Sequence, residues 1–408
     1  MSQRRSSPKP HTARIGLVLA GGGPLGAVYE IGALAAIEEA VTGLDWNEAE
    51  VYVGISAGGI IASGLANGIT PHEMCRMFIE SDAGQADGEM FKPELLLRPA
   101  WPELRKRAAV LPRLIAGSML HYARNKGGGG RSLAGSFERL KEALPTGILS
   151  GVGLEEFLAK TFSLPGRSDD FRQLRQRLVL VATDLDSGEA IRYGQPGHDD
   201  VPISRAARAS AAVPGLFPPV RIKGRHMIDG VLKKTLHASI ALDHGAELVF
   251  CLNPIVPYNA RAALGPGKLS RGGLLAVLSQ TLRAIIHSRV ARGIESYALS
   301  HPHADILLFE PDQLDAEMFF TNLFSTGNRR RLCENAYQRT REYLWENREE
   351  IGRKLARHGL RLKASVLRDK SLTLVGKPPT MTRDRFRINQ LRRALSDLEH
   401  KLKVAHIQ

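Results

Sequence analysis

The segment around Ser56 constrains this chain more than any other feature. An apolar run, Val51–Val53, leads into Gly-Ile-Ser-Ala-Gly, and a predicted helix over Gly58–Asn67 follows. A sharp turn with a serine at its centre crowds the positions two before and two after it, so both Gly54 and Gly58 must lack a side chain. Such a turn lifts the Ser56 hydroxyl above a sheet, where it can act as a nucleophile.

A second glycine-rich turn lies between a predicted strand over Arg14–Ala20 and a predicted helix over Gly26–Ala40. The six residues that start at Gly21 satisfy G-x-G-x-x-G, so a dinucleotide-dependent oxidoreductase is one alternative. A dinucleotide site needs an acidic residue at the end of the second strand to hold the ribose. Here the second strand ends in the serine motif and no carboxylate follows it, which argues against that site.

The same glycines are better suited to an oxyanion hole, a set of N–H groups that stabilises a developing negative charge. Gly21, Gly22 and Gly23 would place bare backbone beside the serine, with a helix dipole behind them. We also expect the N–H groups of Ser56 and Ala57 to lie at the N-terminus of the following helix, where negative charge is stabilised.

A serine hydroxyl is a weak nucleophile and needs a base. The chain contains thirteen histidines, so a Ser-Asp-His triad is one alternative. Such hydrolases carry a His-Gly-Gly type loop before the serine motif, whereas Ala20 is the residue that precedes the glycines here. Asp184, Asp186 and Asp229 are the carboxylate candidates, and the first two are typical of a hairpin turn. Asp229 follows an apolar dipeptide and precedes Gly230, so burial can raise its pKa and make it a better base.

Alternating strand and helix signals predict an α/β fold with a mostly parallel central sheet. Between about residues 70 and 171 the strand signal disappears, and we predict a helical insertion that serves as a lid or as a plain helical layer. We expect a disordered basic tail over 1–13, a catalytic domain over 14–312 and a basic, mostly helical extension over 313–408. The predicted strands are Arg14–Ala20, Val51–Gly54, Arg177–Thr183, Ala190–Tyr193, Val220–Ile222, His226–Ile228, Glu247–Leu252 and Asp305–Phe309.

Three motifs in this order resemble the patatin-like phospholipase family: a glycine loop after the first strand, G-x-S-x-G after the second, and Asp229-Gly230 far downstream. The resemblance extends to Ala182–Leu185 and Ala209–Pro219, and it covers roughly residues 15–254. It implies a three-layer patatin-like fold and a Ser-Asp dyad that uses no histidine, metal or cofactor. By this resemblance Ser56 would be the nucleophile, Asp229 the base, and the glycines 21–23 the oxyanion hole.

Two positions depart from the family pattern. Leu25 stands where the glycine loop usually has Arg or Lys, and Val231 follows Asp229-Gly230 where Gly or Ala is usual. A non-catalytic lipid-binding or membrane-adaptor protein is therefore an alternative to an enzyme.

The net charge of +14 is unevenly distributed along the chain. From Gly327 onward there are 21 Lys and Arg residues against 9 Asp and Glu residues. That segment also contains an apolar heptad stripe, which packs onto the protein or a partner subunit, or contacts an anionic membrane peripherally. We expect no nucleic-acid partner, and an oligomer is left open. The stripe consists of Ile388, Leu391, Leu395, Leu398 and Leu402.

Cysteine usage and apolar run lengths indicate the compartment. Cys75, Cys251 and Cys333 form no disulfide framework, and no Cys/His cluster has zinc-ligand spacing. No uncharged apolar run reaches the length of about 18 residues that a transmembrane helix needs. We therefore expect a cytoplasmic protein without a resident metal that meets membranes only peripherally.

Together these features predict a serine acyl hydrolase that cleaves carboxylic ester bonds of lipids through an acyl-enzyme, as phospholipases and lysophospholipases do. An acyltransferase or a polyester depolymerase with the same dyad remains an alternative, because the motifs specify neither the acceptor nor the acyl chain.

Overall fold

The structure, a computed structural model, describes residues 13–80, 91–124, 143–234, 236–320 and 325–375. Continuous Val, Ile and Leu runs form most of the central strands, as expected for strands that are buried on both faces. The strands are β1 (Ile15–Leu19), β2 (Val41–Thr42), β3 (Val51–Ile55), β4 (Arg177–Asp184), β5 (Ala190–Tyr193), β6 (Val220–Ile222), β7 (Arg225–Asp229), β8 (Leu248–Leu252), β9 (Asp305–Phe309) and β10 (Arg361–Leu362).

Eight strands form one mixed, mostly parallel sheet. Its order is β6-β7-β4-β3-β1-β8-β9, and β5 also pairs with β4. From β4 to β9 the neighbours are parallel, whereas β5, β6 and β7 pair in antiparallel fashion beyond β4. The predicted α/β fold with a mostly parallel sheet is confirmed. β2 and β10 form a separate antiparallel pair.

Helices connect and cover the strands. Between residues 70 and 171 the described segments contain helices and no strand. Two isolated bridges join Pro99 to Leu149 and Gly147 to Gly215. The helices are α1 (Gly23–Ala40), α2 (Ala57–Ala66), α3 (Pro71–Met74), α4 (Trp101–Arg124), α5 (Val152–Phe162), α6 (Ile203–Ser210), α7 (Ala238–Asp243), α8 (Ala260–Leu264), α9 (Gly273–Ser300), α10 (Glu317–Phe320), α11 (Thr326–Glu346), α12 (Arg348–Arg357) and α13 (Ala364–Arg368).

The parallel strands end at one edge of the sheet, so the residues that follow them lie side by side there. β1 leads into the glycine turn and β3 leads into Ser56, while β8 and β9 lead into Asn253 and Glu310. β1 and β3 pair in register up to Leu19 opposite Gly54. The two glycine-rich turns therefore emerge next to each other.

Close packing joins α1 to α11 across a large separation in sequence. A Cβ at Gly32 of α1 would overlap the carbonyl oxygen of Cys333 and would lie 3.0 Å from Ala336 Cβ. Tyr337 of α11 packs against Ala36 in the same contact. α11 therefore belongs to the same compact unit as the sheet.

The element bounds differ from the sequence predictions by a few residues. α1 begins at Gly23 rather than Gly26, because Pro24 is well tolerated in a first helical turn. β7 extends to Asp229, so the aspartate ends a strand instead of following one. The apolar stripe at 388–402 lies outside the described residues. Within the described ranges, no helix has both the length and the apolar character needed to span a bilayer.

Candidate active site

Ser56 occupies a strained turn between β3 and α2. Its backbone has φ 54° and ψ −125°, and it is one of two non-glycine residues with positive φ in the described part of the chain. Such a conformation costs of order 1–3 kcal/mol and persists only where the surrounding structure fixes it. A Cβ at Gly54 would lie 2.5 Å from Gly59 Cα, and a Cβ at Gly58 would overlap the Ala20 carbonyl oxygen. The two glycines thus permit the turn that the sequence predicted.

Ser210 holds this turn from the neighbouring helix α6. The Ser56 N–H donates to Ser210 Oγ at 2.8 Å, and the Ser210 hydroxyl donates to the Val181 carbonyl oxygen at 2.6 Å. Ser56 and Ala57 lie at the N-terminus of α2, as expected, but the Ser56 N–H is engaged by Ser210 Oγ. The sequence analysis did not predict that Ser210 contacts the turn at Ser56, although Ser210 lies in the Ala209–Pro219 stretch that carries the family resemblance.

The glycine turn after β1 lies directly against Ser56. A Cβ at Gly21 would lie 3.0 Å from Ser56 Cβ and 3.6 Å from its Oγ. Gly22 and Gly23 have φ values of 153° and 60°, which side chains rarely allow. The turn opens the eighteen-residue helix α1, whose N-terminus carries about half a positive charge. Its backbone can therefore stabilise an oxyanion formed beside Ser56.

Sheet register brings Asp229 to the same place. Ile55 of β3 lies opposite Val181 of β4, and the next β4 residue, Ala182, pairs with Asp229 of β7. A Cβ at Gly230 would overlap the Val181 carbonyl oxygen, which explains why a glycine follows the aspartate. The two predicted site residues thus come from strands on either side of β4.

The Asp229 carboxyl is buried, with only 1% of the residue exposed. Oδ1 accepts a hydrogen bond from the Val231 N–H at 2.9 Å, while Oδ2 has no partner of regular geometry among the described residues. Burial raises the pKa of Asp229 to about 6, although the Val231 N–H and the Ser56 side chain each lower it. Without a regular hydrogen bond from the described residues, Oδ2 is able to accept a proton.

The other candidate bases are engaged elsewhere. Asp184 accepts hydrogen bonds from the Asp186 N–H and the Ser187 hydroxyl in the turn between β4 and β5. Asp186 itself is largely exposed and faces His226. His237 is buried, and burial together with the Lys234 charge lowers its pKa to about 3, so it stays neutral. In the described part of the chain, no histidine hydrogen-bonds to Ser56 or Asp229, and no cluster of His, Cys, Asp or Glu could hold a metal ion.

The sequence match decides the family. Residues 17–242, more than half of the 408-residue chain, match the family described as Patatin-like phospholipase. The chain belongs to the patatin-like phospholipase family. The matched part of this patatin-like chain contains the glycine turn, Ser56 and Asp229. Family membership confirms the predicted resemblance and supports lipid hydrolysis as the class of activity.

Solved structures similar to this patatin-like chain include VipD, the type III effector ExoU and a complex of ExoU. VipD from Legionella pneumophila matches with 17% identity and a TM-score of 0.36, over 82% of this chain and 67% of VipD. The type III effector ExoU matches with 14% identity and a TM-score of 0.34, over 83% of this chain and 54% of ExoU. The ExoU–SpcU complex of Pseudomonas aeruginosa gives 18% identity and a TM-score of 0.28, over 98% of this chain and 63% of the other. TM-scores below 0.5 mark a loose correspondence, so the family assignment rests on the sequence match.

Proposed function

We propose that this chain is a serine acyl hydrolase that cleaves carboxylic ester bonds of lipids, with Ser56 as nucleophile and Asp229 as base. One arrangement carries the proposal: the buried carboxyl of Asp229 lies across β4 from a serine in a strained turn that glycine backbone flanks. Burial raises the pKa of that carboxyl to about 6. An aspartate with a raised pKa is a stronger base than a surface aspartate, and it is still ionised at neutral pH.

In the first half-reaction, Ser56 Oγ attacks the ester carbonyl carbon while its proton moves to Asp229 Oδ2. The carbonyl oxygen takes the displaced electron pair, and N–H groups of the turn at Gly21, Gly22 and Gly23 hydrogen-bond to it. The bond between the carbonyl carbon and the leaving oxygen then breaks, and Asp229 gives its proton to that oxygen. The alcohol or lysolipid departs, and the acyl group stays on Ser56.

The second half-reaction repeats these steps with water. Asp229 takes a proton from water as the water oxygen attacks the acyl carbon, and the same glycine N–H groups hold the oxyanion. The bond from the acyl carbon to Ser56 Oγ breaks, and Asp229 returns the proton to the serine. The fatty acid is released and both residues regain their starting state.

Substitution of the nucleophile tests this proposal. Ser56→Ala should lower the hydrolysis rate of a short-chain ester by about 10⁴-fold or more, because no other group can form the acyl-enzyme. Ser63→Ala is a matched control, since Ser63 is a buried serine on α2, the helix that follows Ser56, and its hydroxyl donates to the Gly59 carbonyl oxygen at 2.6 Å. A fluorophosphonate probe should label wild type and Ser63→Ala but not Ser56→Ala.

Three results separate this proposal from its alternatives. Retained hydrolysis by Ser56→Ala would contradict the assigned nucleophile. Absence of probe labelling in the wild type would favour a lipid-binding protein without catalysis. Transfer of the acyl group to an added alcohol in preference to water would make the protein an acyltransferase with the same dyad.

A further inference from the structure

Helix α9 exposes a row of apolar side chains. Leu274 is 71% exposed, and Val277, Leu278, Leu282 and Ile285 are between 44% and 48% exposed. These five residues, which we call the apolar row, recur at three- and four-residue intervals and therefore share one side of the helix. A helix on the surface of a soluble protein normally turns such a face toward its core.

The apolar row lies at the edge of the sheet that carries Ser56. α9 connects the parallel strands β8 and β9, so it begins at their carboxyl ends and runs back toward the opposite edge. The apolar row occupies the first half of this helix. Leu299, near the end of α9, is 85% exposed and lies toward the opposite edge.

Hydrogen bonds join α9 to the backbone beside the glycine turn. Gln280 accepts from the Tyr258 N–H at 3.1 Å and donates to the Tyr258 carbonyl oxygen at 2.8 Å, and Arg283 donates to the Val256 carbonyl oxygen at 3.3 Å. The same segment contacts the glycines, since a Cβ at Gly22 would lie 2.8 Å from Pro254 Cγ. The first half of α9 is thus held against the backbone that supports the candidate oxyanion hole.

A second connection reaches the segment that follows Asp229. Arg289 of α9 donates to the Leu232 carbonyl oxygen at 3.4 Å, three residues after the candidate base. Tyr297 bonds to the Leu236 carbonyl oxygen at 3.3 Å further along the same helix. α9 therefore contacts the segments next to both halves of the candidate site, and the apolar row lies on the helix that makes these contacts.

The charged residues that flank the apolar row in the sequence are of one sign. No acidic residue occurs between Glu247 and Glu295, whereas six basic residues do. Three exposed ones precede the row in the sequence, and two exposed ones follow it. A helix that presents apolar side chains beside basic ones is typical of proteins that bind anionic membranes at their surface. The basic residues are Arg261, Lys268, Arg271, Arg283, Arg289 and Arg292.

We propose that the apolar row inserts into the surface of an anionic bilayer and places ester-bearing lipids next to Ser56, an inference that rests on the proposed lipid hydrolysis. Exposed leucines supply the apolar contact, and the flanking arginines and lysines attract anionic headgroups. A second copy of this chain is a poorer occupant, because a symmetric pair would bring two sets of basic residues together.

Vesicle binding by the full chain tests this proposal. With Ser56→Ala as the parent, so that no lipid is consumed, Leu278→Gln should weaken partitioning onto phosphatidylcholine vesicles that contain phosphatidylglycerol. We expect the partition coefficient to fall about tenfold, which corresponds to loss of roughly half the transfer free energy of a leucine side chain. Leu299→Gln is the matched control, since it makes the same change on the same helix about 30 Å along the axis, and it should bind like the parent. Higher salt and vesicles of pure phosphatidylcholine should both weaken binding by the parent.

Two results would overturn the membrane assignment. Equal binding by the parent, Leu278→Gln and Leu299→Gln would show that the row does not meet the bilayer. Conversion of a dimer to a monomer by Leu278→Gln, with vesicle binding unchanged, would assign the row to a second copy of the chain. Leu274→Gln serves as a second variant if the circular dichroism spectrum of Leu278→Gln shows that this variant does not fold. Because the parent is Ser56→Ala and the readout is binding, these outcomes are independent of whether ester hydrolysis is found.

Discussion

Burial of Asp229 should affect the proposed catalysis and the stability of the fold in opposite directions. Its pKa rises from 3.8 to about 6 on folding, so between these values the folded protein binds more protons than the unfolded chain. The contribution of Asp229 to the free energy of unfolding is therefore fully present below about pH 4 and is lost as the pH rises through about 6. The proposed activity should show the reverse trend, because only the ionised carboxylate can accept the Ser56 proton. The rate with a soluble short-chain ester should fall as the pH drops below about 6.

Asp229→Asn separates these two effects. It should abolish ester hydrolysis and raise the free energy of unfolding at pH 8 by roughly 1–3 kcal/mol, because a neutral amide replaces a buried charge. Near pH 4 the variant and wild type should unfold alike in urea, since the wild-type carboxyl is then largely protonated. Asp186→Asn is the control, because it makes the same change at an exposed carboxylate. Hydrolysis by Asp229→Asn at a wild-type rate would remove Asp229 from the mechanism.

At the level of secondary-structure elements, α6 positions the turn that carries Ser56. Ser210→Ala should leave the buried Ser56 N–H without an acceptor and cost about 1–3 kcal/mol of stability. The turn should also loosen, and we expect kcat to fall by about tenfold to a hundredfold with little change in KM. Ser204→Ala on the same helix removes a hydroxyl that bonds to Asp169, away from the turn. A purely structural role for Ser210 would make the two variants equal in kcat.

Contact between α1 and α11 gives a second prediction at this level. Gly32→Ala should destabilise the protein by about 1–3 kcal/mol, because its Cβ would overlap the Cys333 carbonyl oxygen and force the helices apart. Gly352→Ala on α12 is the matched control, since a Cβ there would meet no atom within 4 Å. That change should stabilise the protein by up to about 1 kcal/mol through helix propensity. Opposite shifts in the urea midpoint would support this packing, whereas a stabilising Gly32→Ala would contradict it.

For the whole molecule, the sequence predicts the features that local chemistry determines. Continuous apolar runs predict buried parallel strands, and glycines at fixed distances from Ser56 predict the turn, because both signals lie within a few residues. The sheet order has no such local signal. β7 lies beside β4 because of pairings between segments far apart in the chain, and only these pairings bring Asp229 to Ser56.

The sequence analysis likewise did not predict contacts between residues that lie far apart in the chain. Ser210 is an ordinary small residue in its own helix, and its role depends on the position of the Ser56 N–H across the sheet. The apolar row of α9 has the periodicity of a core helix, so its pattern alone favours burial, and only the packed structure shows it exposed.

The placement of Ser56 and Asp229 on opposite sides of β4 also affects how the protein folds. The two residues are 173 positions apart, and the glycine turn is braced by Pro254, further along the chain. Such non-local pairings form late and slowly compared with local helices. A growing chain on the ribosome therefore contains both members of the proposed dyad only after Asp229 has emerged. The glycine turn gains its contact with Pro254 later still. The proposed hydrolysis should therefore begin only once the chain has passed Pro254, about three fifths of the way through its 408 residues, so that shorter nascent chains leave the lipids around them intact.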